Sequence, residues 1–231
     1  MPEKIIGILG GMGPEATVDL FYKIIKFTPA EKDQNHLRII IDNNPKIPDR
    51  TAAILGKGED PLPALRETAQ NLEKAGADFI IIPCNTAHYF LSSIQESVNI
   101  PVLNMIEETA KETKKRIPQI KKVGLLASAG VYEAKIYHQH FKKFNIEVIS
   151  PEEKGKEKVM KVIYAVKAGD LSEEVKKNII SIAQKLIDKG AEAIIAGCTE
   201  IPLILKEGDV SAPIIDPTQV LAKAAVQKAK L

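Results

Sequence analysis

The chain is predicted to be α/β, with two similar domains, each a parallel sheet flanked by helices, related by pseudo-twofold symmetry. Three observations predict this. Short branched apolar runs alternate with amphipathic stretches from end to end, the pattern of strand–helix–strand units. Three pairs of phrases recur in the same order: "KIIGILGGMG" (4–13) with "KVGLLASAG" (122–130), "GADFIIIPCNTAH" (76–88) with "GAEAIIAGCTEIP" (190–202), and "NIPVLNMIEETAKE" (99–112) with "SAPIIDPTQVLAKA" (211–224). Their landmarks Gly7/Gly124, Gly76/Gly190 and Pro101/Pro213 are offset by 117, 114 and 112, so one unit is repeated. Finally, both cysteines of the 231-residue chain, Cys84 and Cys198, stand eight residues after the glycine of the middle phrase. The expected domains are 1–103 plus 212–231, and 104–211, with the active site in a cleft between them.

The elements follow in order. Ile5–Leu9, Leu37–Ile41, Phe79–Ile82 and Val102–Leu103 are short and branched rather than alternating, which predicts strands buried on both faces. Val123–Leu126, Ile146–Ile149, Ala193–Ile195 and Ile214–Ile215 repeat the pattern. Leu65, Thr68, Ala69, Leu72 and Ala75 recur at helical spacing, and Gly76 sits where such a helix ends. Val175, Ile179, Ile182 and Leu186 do the same before Gly190, with Ser172 as the expected N-cap and Glu173-Glu174 in the first turn. In parallel sheets of this kind, ligands gather at the carboxyl ends of the strands. Residues 10–14, 43–50, 84–86, 128–130 and 198–200 all fall there.

Composition narrows the function. A net charge of +2 spread along the chain, no Trp and no basic–aromatic interleaving argue against nucleic-acid binding. The run Ile5–Leu9 stops at Gly10-Gly11, too short for a leader or a membrane span, and no later run approaches about 18 residues. A cytoplasmic location without membrane association is expected, where an ordinary disulfide is unusual.

The cysteine pair carries the chemistry. A lone Cys ending a buried strand is ordinarily a small core hydrophobe. Core packing does not, however, require the same residue at the same strand end twice, each time followed by hydrogen-bonding side chains (Asn85-Thr86 and Thr199-Glu200). Cys84, His88, Cys198 and Glu200 could together ligand zinc, but the tight C-x₂-C or H-x₃₋₅-H pairs of closed sites are missing. As acid and base, two opposed thiols could remove a proton from one face of a carbon and return one to the other. Backbone N–H groups at the strand-to-helix turns are expected to draw the thiol pKa values toward neutrality. His88, one helical turn after Cys84, could take a catalytic role or instead bond locally, while His36, His138 and His140 read as surface positions.

Gly10-Gly11-Met12-Gly13-Pro14 predicts a turn whose backbone approaches a ligand, with Pro14 opening a helix that could hold a carboxylate. "GMGPEA" (11–16) also satisfies G-x-G-x-x-A, and Asp42 ends the next strand, so a dinucleotide-dependent oxidoreductase stays open. The Pro- and Gly-rich connection after "DNNPKIPDRT" (42–51) is long enough to be functional. Arg50, one of four arginines, has a fork suited to a carboxylate.

"GILGGMGPEAT", "PDRT", "PCNTAH" and "GCTEIPL" together resemble the cofactor-independent aspartate/glutamate racemase family, closest to its aspartate racemases. The resemblance spans nearly the whole chain. It implies two α/β domains, a homodimer, a small acidic amino-acid substrate, and neither pyridoxal phosphate nor metal. Interconversion of L- and D-aspartate, with glutamate as a second substrate, is implied, with Cys84 and Cys198 as the two acid/base residues. Asn85, Thr86, Thr199, Ser128 and the Met12-Gly13 turn would line the substrate site. Glu200 would orient the substrate or adjust the thiols, and Arg50 and Lys167 would meet the distal carboxylate. The resemblance also implies that the helix after Val102-Leu103 belongs with the second domain and the C-terminal helix with the first. One departure bears on the substrate: a Thr-rich turn of the family reads "SAGVYEAKIY" (128–137) here, with Ala129 and Val131 in place of hydroxyls. A sister activity, cis–trans isomerisation of a maleate-like diacid, and a non-catalytic acidic-metabolite sensor remain alternatives.

Overall fold

The computed structural model describes residues 3–231 and resolves into two compact units, Met1–Glu108 with Thr218–Leu231, and Thr109–Pro217. In the first, β1 (Ile6–Gly10), α1 (Pro14–Phe27), β2 (Ile39–Asn43), α2 (Arg50–Ile54), α3 (Leu62–Lys74) and β3 (Phe79–Ile81) follow one another. A 3-10 turn (Thr86–Phe90), α4 (Leu91–Gln95) and the start of α5 (Met105–Arg116) come next. The strands form one parallel sheet in the order β2-β1-β3, with Ile6 opposite both Ile39 and Phe79.

The second unit takes over within α5 and contains β4 (Lys122–Ala127), α6 (Ala129–Glu133), α7 (Ile136–Lys142), β5 (Glu147–Ile149), α8 (Glu153–Lys167) and α9 (Glu173–Asp188). β6 (Ala193–Gly197), α10 (Ile201–Ile204) and β7 (Ile214–Ile215) complete it, and α11 (Pro217–Ala229) returns to the first unit, where Lys4 N donates to Ala229 O. Its sheet, again parallel, runs β5-β4-β6-β7. The expected Val102–Leu103 strand is reduced to an isolated parallel bridge between Val102 and Ile80. That bridge stands where β7 stands beside β6, so the two sheets share one order. Pro101 removes a donor and only two apolar residues follow it, leaving little length for a ladder.

The repeat glycines share a packing reason. A Cβ on Gly7 would come within 2.9 Å of Ala77 Cβ and 3.4 Å of Leu72 Cβ; one on Gly124 would come within 2.9 Å of Leu186 Cβ. In both units a helix, α3 or α9, lies so close to the central strand that only hydrogen fits. Both helices end as expected at left-handed glycines, Gly76 (φ 94°) and Gly190 (φ 91°). Ser172 occupies the N-cap of α9, but its side chain makes no capping bond, and its backbone N–H is instead held by Asp170. Each unit has its own core: Leu9, Leu65, Leu72, Ile80 and Ile94 in the first, Leu126, Ile163, Ile179, Leu186 and Ile194 in the second.

Candidate functional site

Cys84 follows β3 and is buried within the first unit's core, beside buried Asn85 and Thr86. His88 builds this turn. Its Nδ1 donates to Cys84 O at 2.8 Å, and its Nε2 accepts from Met105 N at 3.1 Å. Accepting a backbone N–H requires a lone pair on Nε2, so the proton sits on Nδ1 and the ring is neutral. Of the two readings of His88 the local bond is present, and a second one ties the Cys84 loop to the start of α5. Asn104, a cap that sequence reading passed over, accepts from Ile106 N and Glu107 N there. Asn directly before "MIEE" was the available signal.

Cys198 follows β6 and is partly buried. Its Sγ donates to Glu200 Oε2 at 2.8 Å, the same oxygen accepts from Thr199 Oγ1 at 3.1 Å, and Lys167 Nζ lies 3.8 Å from Glu200 Oε1. Thr199 and Glu200 are both buried. The expectation of a lowered thiol pKa fails here. Burial, the Glu200 charge and the bond to Glu200 push the Cys198 thiol well above its ordinary range, outweighing the pull of Lys167 and of the Glu200 backbone. The following helix, α10, has four residues, too few for a strong dipole.

At the end of β1 the glycines divide. Gly11 (φ 96°) could not carry a Cβ, which would lie 2.3 Å from Asn44 C, and its N–H donates to Thr17 Oγ1 at 2.9 Å. A Cβ on Gly10 would sit 2.5 Å from Thr17 Oγ1. These two serve internal packing, and the Gly11 N–H is already engaged, which weighs against a phosphate cradle of the dinucleotide type. Asp42 meanwhile accepts from Asn71. Gly13 differs: nothing lies within 4 Å of where its Cβ would be, and it caps α1 with no side-chain bond to the first turn, so its face is open. The Met12 side chain belongs to the core with Ile47 and Cys84, so its part in a site is limited to backbone.

Arg50 begins α2, where Asp49 caps by accepting from Ala52 N. Its Nη1 donates to Ile47 O and Pro48 O, while its buried Nε has no partner. It therefore ties its own loop and keeps one donor unused. Ser128 is buried at the N-cap of α6, and Val131 in that helix is fully buried; Ala129 N donates to Met160 Sδ at 3.2 Å. Tyr132, also overlooked in the sequence, accepts from Ala127 N and donates to Leu125 O, holding the end of β4. The other histidines are less exposed than expected: Nδ1 of His36 and of His138 is buried without a partner. Burial, then Lys135, holds the His138 pKa below its usual value.

The zinc reading gains nothing from these contacts, since both His88 nitrogens are committed to backbone. Among the described residues no three His, Cys, Asp or Glu side chains gather as a ligand set. A cavity of about 550 Å³ beside α8 and α9 is lined by Lys154, Lys158, Lys185 and Lys189 among others, but by none of the residues above.

In both units the parallel strands follow one order, and a free cysteine stands just past β3 in the first and just past β6 in the second. Residues 9–225 match the Asp/Glu/Hydantoin racemase family, and the chain belongs to it. It is 31% identical over 229 residues to the broad specificity amino-acid racemase RacX of Bacillus subtilis (strain 168), covering 96% of each chain. Picrophilus torridus aspartate racemase is similar in structure, with a TM-score of 0.86 and 35% identity, over 98% of this chain and 94% of that one. An aspartate racemase homologue from Pyrococcus horikoshii OT3 gives a TM-score of 0.80 at 29% identity, over 99% of this chain and all of the other.

Proposed function

We propose that the protein interconverts L- and D-aspartate, with glutamate as a second substrate, by two-base proton transfer between Cys84 and Cys198, without pyridoxal phosphate. The observation that carries this reading is the duplicated cysteine. The only two thiols in the chain occupy the same position after the equivalent strands β3 and β6, and both are free. The reading requires both to reach one substrate α-carbon from opposite faces. One thiolate takes the α-proton, breaking C–H and forming S–H. The opposite thiol then gives its proton to the carbanion, breaking S–H and forming C–H with inverted configuration. The reverse direction exchanges the roles.

Arg50 supports an acidic substrate: a buried guanidinium N–H without a partner costs about 1–3 kcal/mol, which a carboxylate would offset. The open Gly13 face and Asn85, Thr86, Ser128 and Thr199 would hold the α-carboxylate and amine, and Lys167 would balance charge at the Cys198 end. Ala129 and Val131 give this turn less hydroxyl chemistry than the family's Thr-rich version. Together with the name of the Bacillus subtilis relative, that supports tolerance of further amino acids.

A homodimer in the cytoplasm completes the proposal. Val18, Phe21, Tyr22 and Ile25 expose an apolar face of α1 at helical spacing, surface that a second copy would cover. Free catalytic thiols suit a reducing compartment. Among the described residues no helix is long and apolar enough to cross a membrane.

The test is α-proton exchange in D₂O followed by NMR on L- and D-aspartate and glutamate, with no cofactor added. The wild type should exchange and produce the other enantiomer. Cys84→Ser and Cys198→Ser should each abolish racemisation while one of them retains exchange on one enantiomer. Full racemisation by either variant would refute the two-base mechanism. A covalent adduct with maleate and no exchange would instead support the diacid isomerase.

A further inference from the structure

The cavity beside α8 and α9 lies wholly in the second unit and takes no part in the cysteine chemistry. Its origin is visible in the sequence of α8. Val159, Val162 and Val166 form an apolar stripe that packs into the core with Ile179, Ile182 and Leu186 of α9. One turn earlier on that stripe stands Gly155, which has no side chain to fill the space, and a Cβ there would lie 2.7 Å from Pro151 Cβ. The stripe breaks off while α9 continues, so Ile182, Leu186 and Pro151 become the apolar lining of a cavity of about 550 Å³.

The rest of the wall is cationic. Lys154 and Lys158 of α8 and Lys185 and Lys189 of α9 set four ammonium groups against two carboxylates, Glu152 and Asp188. Both carboxylates are already engaged: Lys189 Nζ donates to Glu152 Oε1, and Gln184 Nε2 donates to Asp188 Oδ1 at 2.9 Å. Among the described residues Lys154, Lys158 and Lys185 form no ion pair. The N–H groups in the first turn of α8 have no intrahelical acceptor, and the Glu152 side chain does not cap them. A smaller cavity of about 270 Å³ shares Lys158 and Asn178 with this one and adds Lys161, so the groove between the two helices continues with the same charge.

We propose that this cavity is a binding site for an organic phosphate, separate from the cysteine site. The phosphate end meets Lys154, Lys158 and Lys185 beside the first turn of α8, and the body of the ligand covers Ile182 and Leu186. Phosphate oxygens can accept from several mobile ammonium groups and from free helix N–H groups at once. A free amino acid fits less well, because its own ammonium would enter a ring of like charges. The volume lies in the range of small-molecule sites, and the apolar floor favours a ligand larger than a bare anion. The inference goes beyond the racemase reading and does not depend on it, since it concerns binding alone.

Isothermal titration calorimetry at neutral pH and about 0.15 M sodium chloride, without magnesium, tests it with inorganic pyrophosphate, adenosine diphosphate and citrate as probes. Adenosine diphosphate should bind with a Kd below about 1 mM and about threefold or more tighter than pyrophosphate, with citrate weakest. Lys154→Gln/Lys158→Gln should weaken it by about tenfold or more. Lys57→Gln/Lys74→Gln, which removes the same charge from exposed positions of the first unit, should leave it within about twofold. Binding at the β1–α1 turn or at the substrate site would not respond to Lys154 and Lys158 in this way. No heat from either phosphate up to about 5 mM would overturn the proposal, as would equal losses in the two double variants. Citrate binding as tightly as adenosine diphosphate would overturn the assignment to phosphate, and pyrophosphate binding alone would overturn the organic ligand. If circular dichroism shows the Lys154→Gln/Lys158→Gln protein unfolded, Lys185→Gln takes its place, and an unchanged Kd there counts against the site. Racemisation measured on the same proteins is a separate result: its absence removes the racemase and leaves this site standing.

Discussion

Replacing His88 with alanine should cost the first unit about 2–6 kcal/mol, and the figure follows from two bonds. His88 is 6% exposed; its Nδ1 donates to Cys84 O and its Nε2 accepts from Met105 N. Alanine removes both partners and leaves a buried carbonyl and a buried N–H to lose about 1–3 kcal/mol each. His88→Asn can place an amide N–H near the Nδ1 position and keep the Cys84 bond, so it should lose roughly half as much. Urea denaturation followed by circular dichroism measures both, and thermal melting should show a drop of at least about 4 °C for alanine. Because the lost bond positions the Cys84 backbone, racemisation should fall in the same order, alanine below asparagine below wild type. A loss under about 1 kcal/mol for alanine, or equal losses for alanine and asparagine, would refute the structural role assigned to this ring.

Gly11→Ala should destabilise by more than about 3 kcal/mol or abolish soluble expression, since the Cβ would meet Asn44 backbone at 2.3 Å in a left-handed conformation. Normal yield and melting temperature would show that the loop at Asn44 yields freely. Tyr132→Phe strips a bond from Ala127 N and one from Leu125 O, and should cost about 2–4 kcal/mol in urea denaturation; a change under about 0.5 kcal/mol would mean water replaces the hydroxyl without loss. Asp209 is held below the usual carboxyl range by the bond from Lys176, then by Lys206 N–H. Its folded pKa is depressed, so its contribution is present above the ordinary 3.8 and disappears as pH falls through the folded value. Asp209→Asn should flatten the acid limb of stability below about pH 4, and an unchanged limb would exclude this pair as a source of it.

Much was legible in the sequence because it is local or repeated. Strand positions follow from short branched runs, helix ends from Gly76 and Gly190, and the paired units from landmarks at near-constant offset. The cysteines stand out for the same reason: a repeated residue at a strand end is visible before any contact is known. Other features depend on groups distant in sequence that meet only in the folded chain. Gly11 and Gly13 look alike in "GGMG", yet Asn44 fills the space beside one and leaves the other open. His88 could be a ligand, a base or a tie, and only Met105 N, seventeen residues on, decides for the tie. The direction of the Cys198 shift was misread because a strand-to-helix turn suggests N–H stabilisation, whereas burial and a carboxylate at 2.8 Å dominate. By itself the sequence determined the repeated α/β architecture, the two thiols and the strand ends that carry them, since periodicity and repetition are properties of the chain. Which polar groups touch, what surrounds each thiol and which glycine faces open space were decided by tertiary structure, because desolvation and charge act through space over a few ångströms.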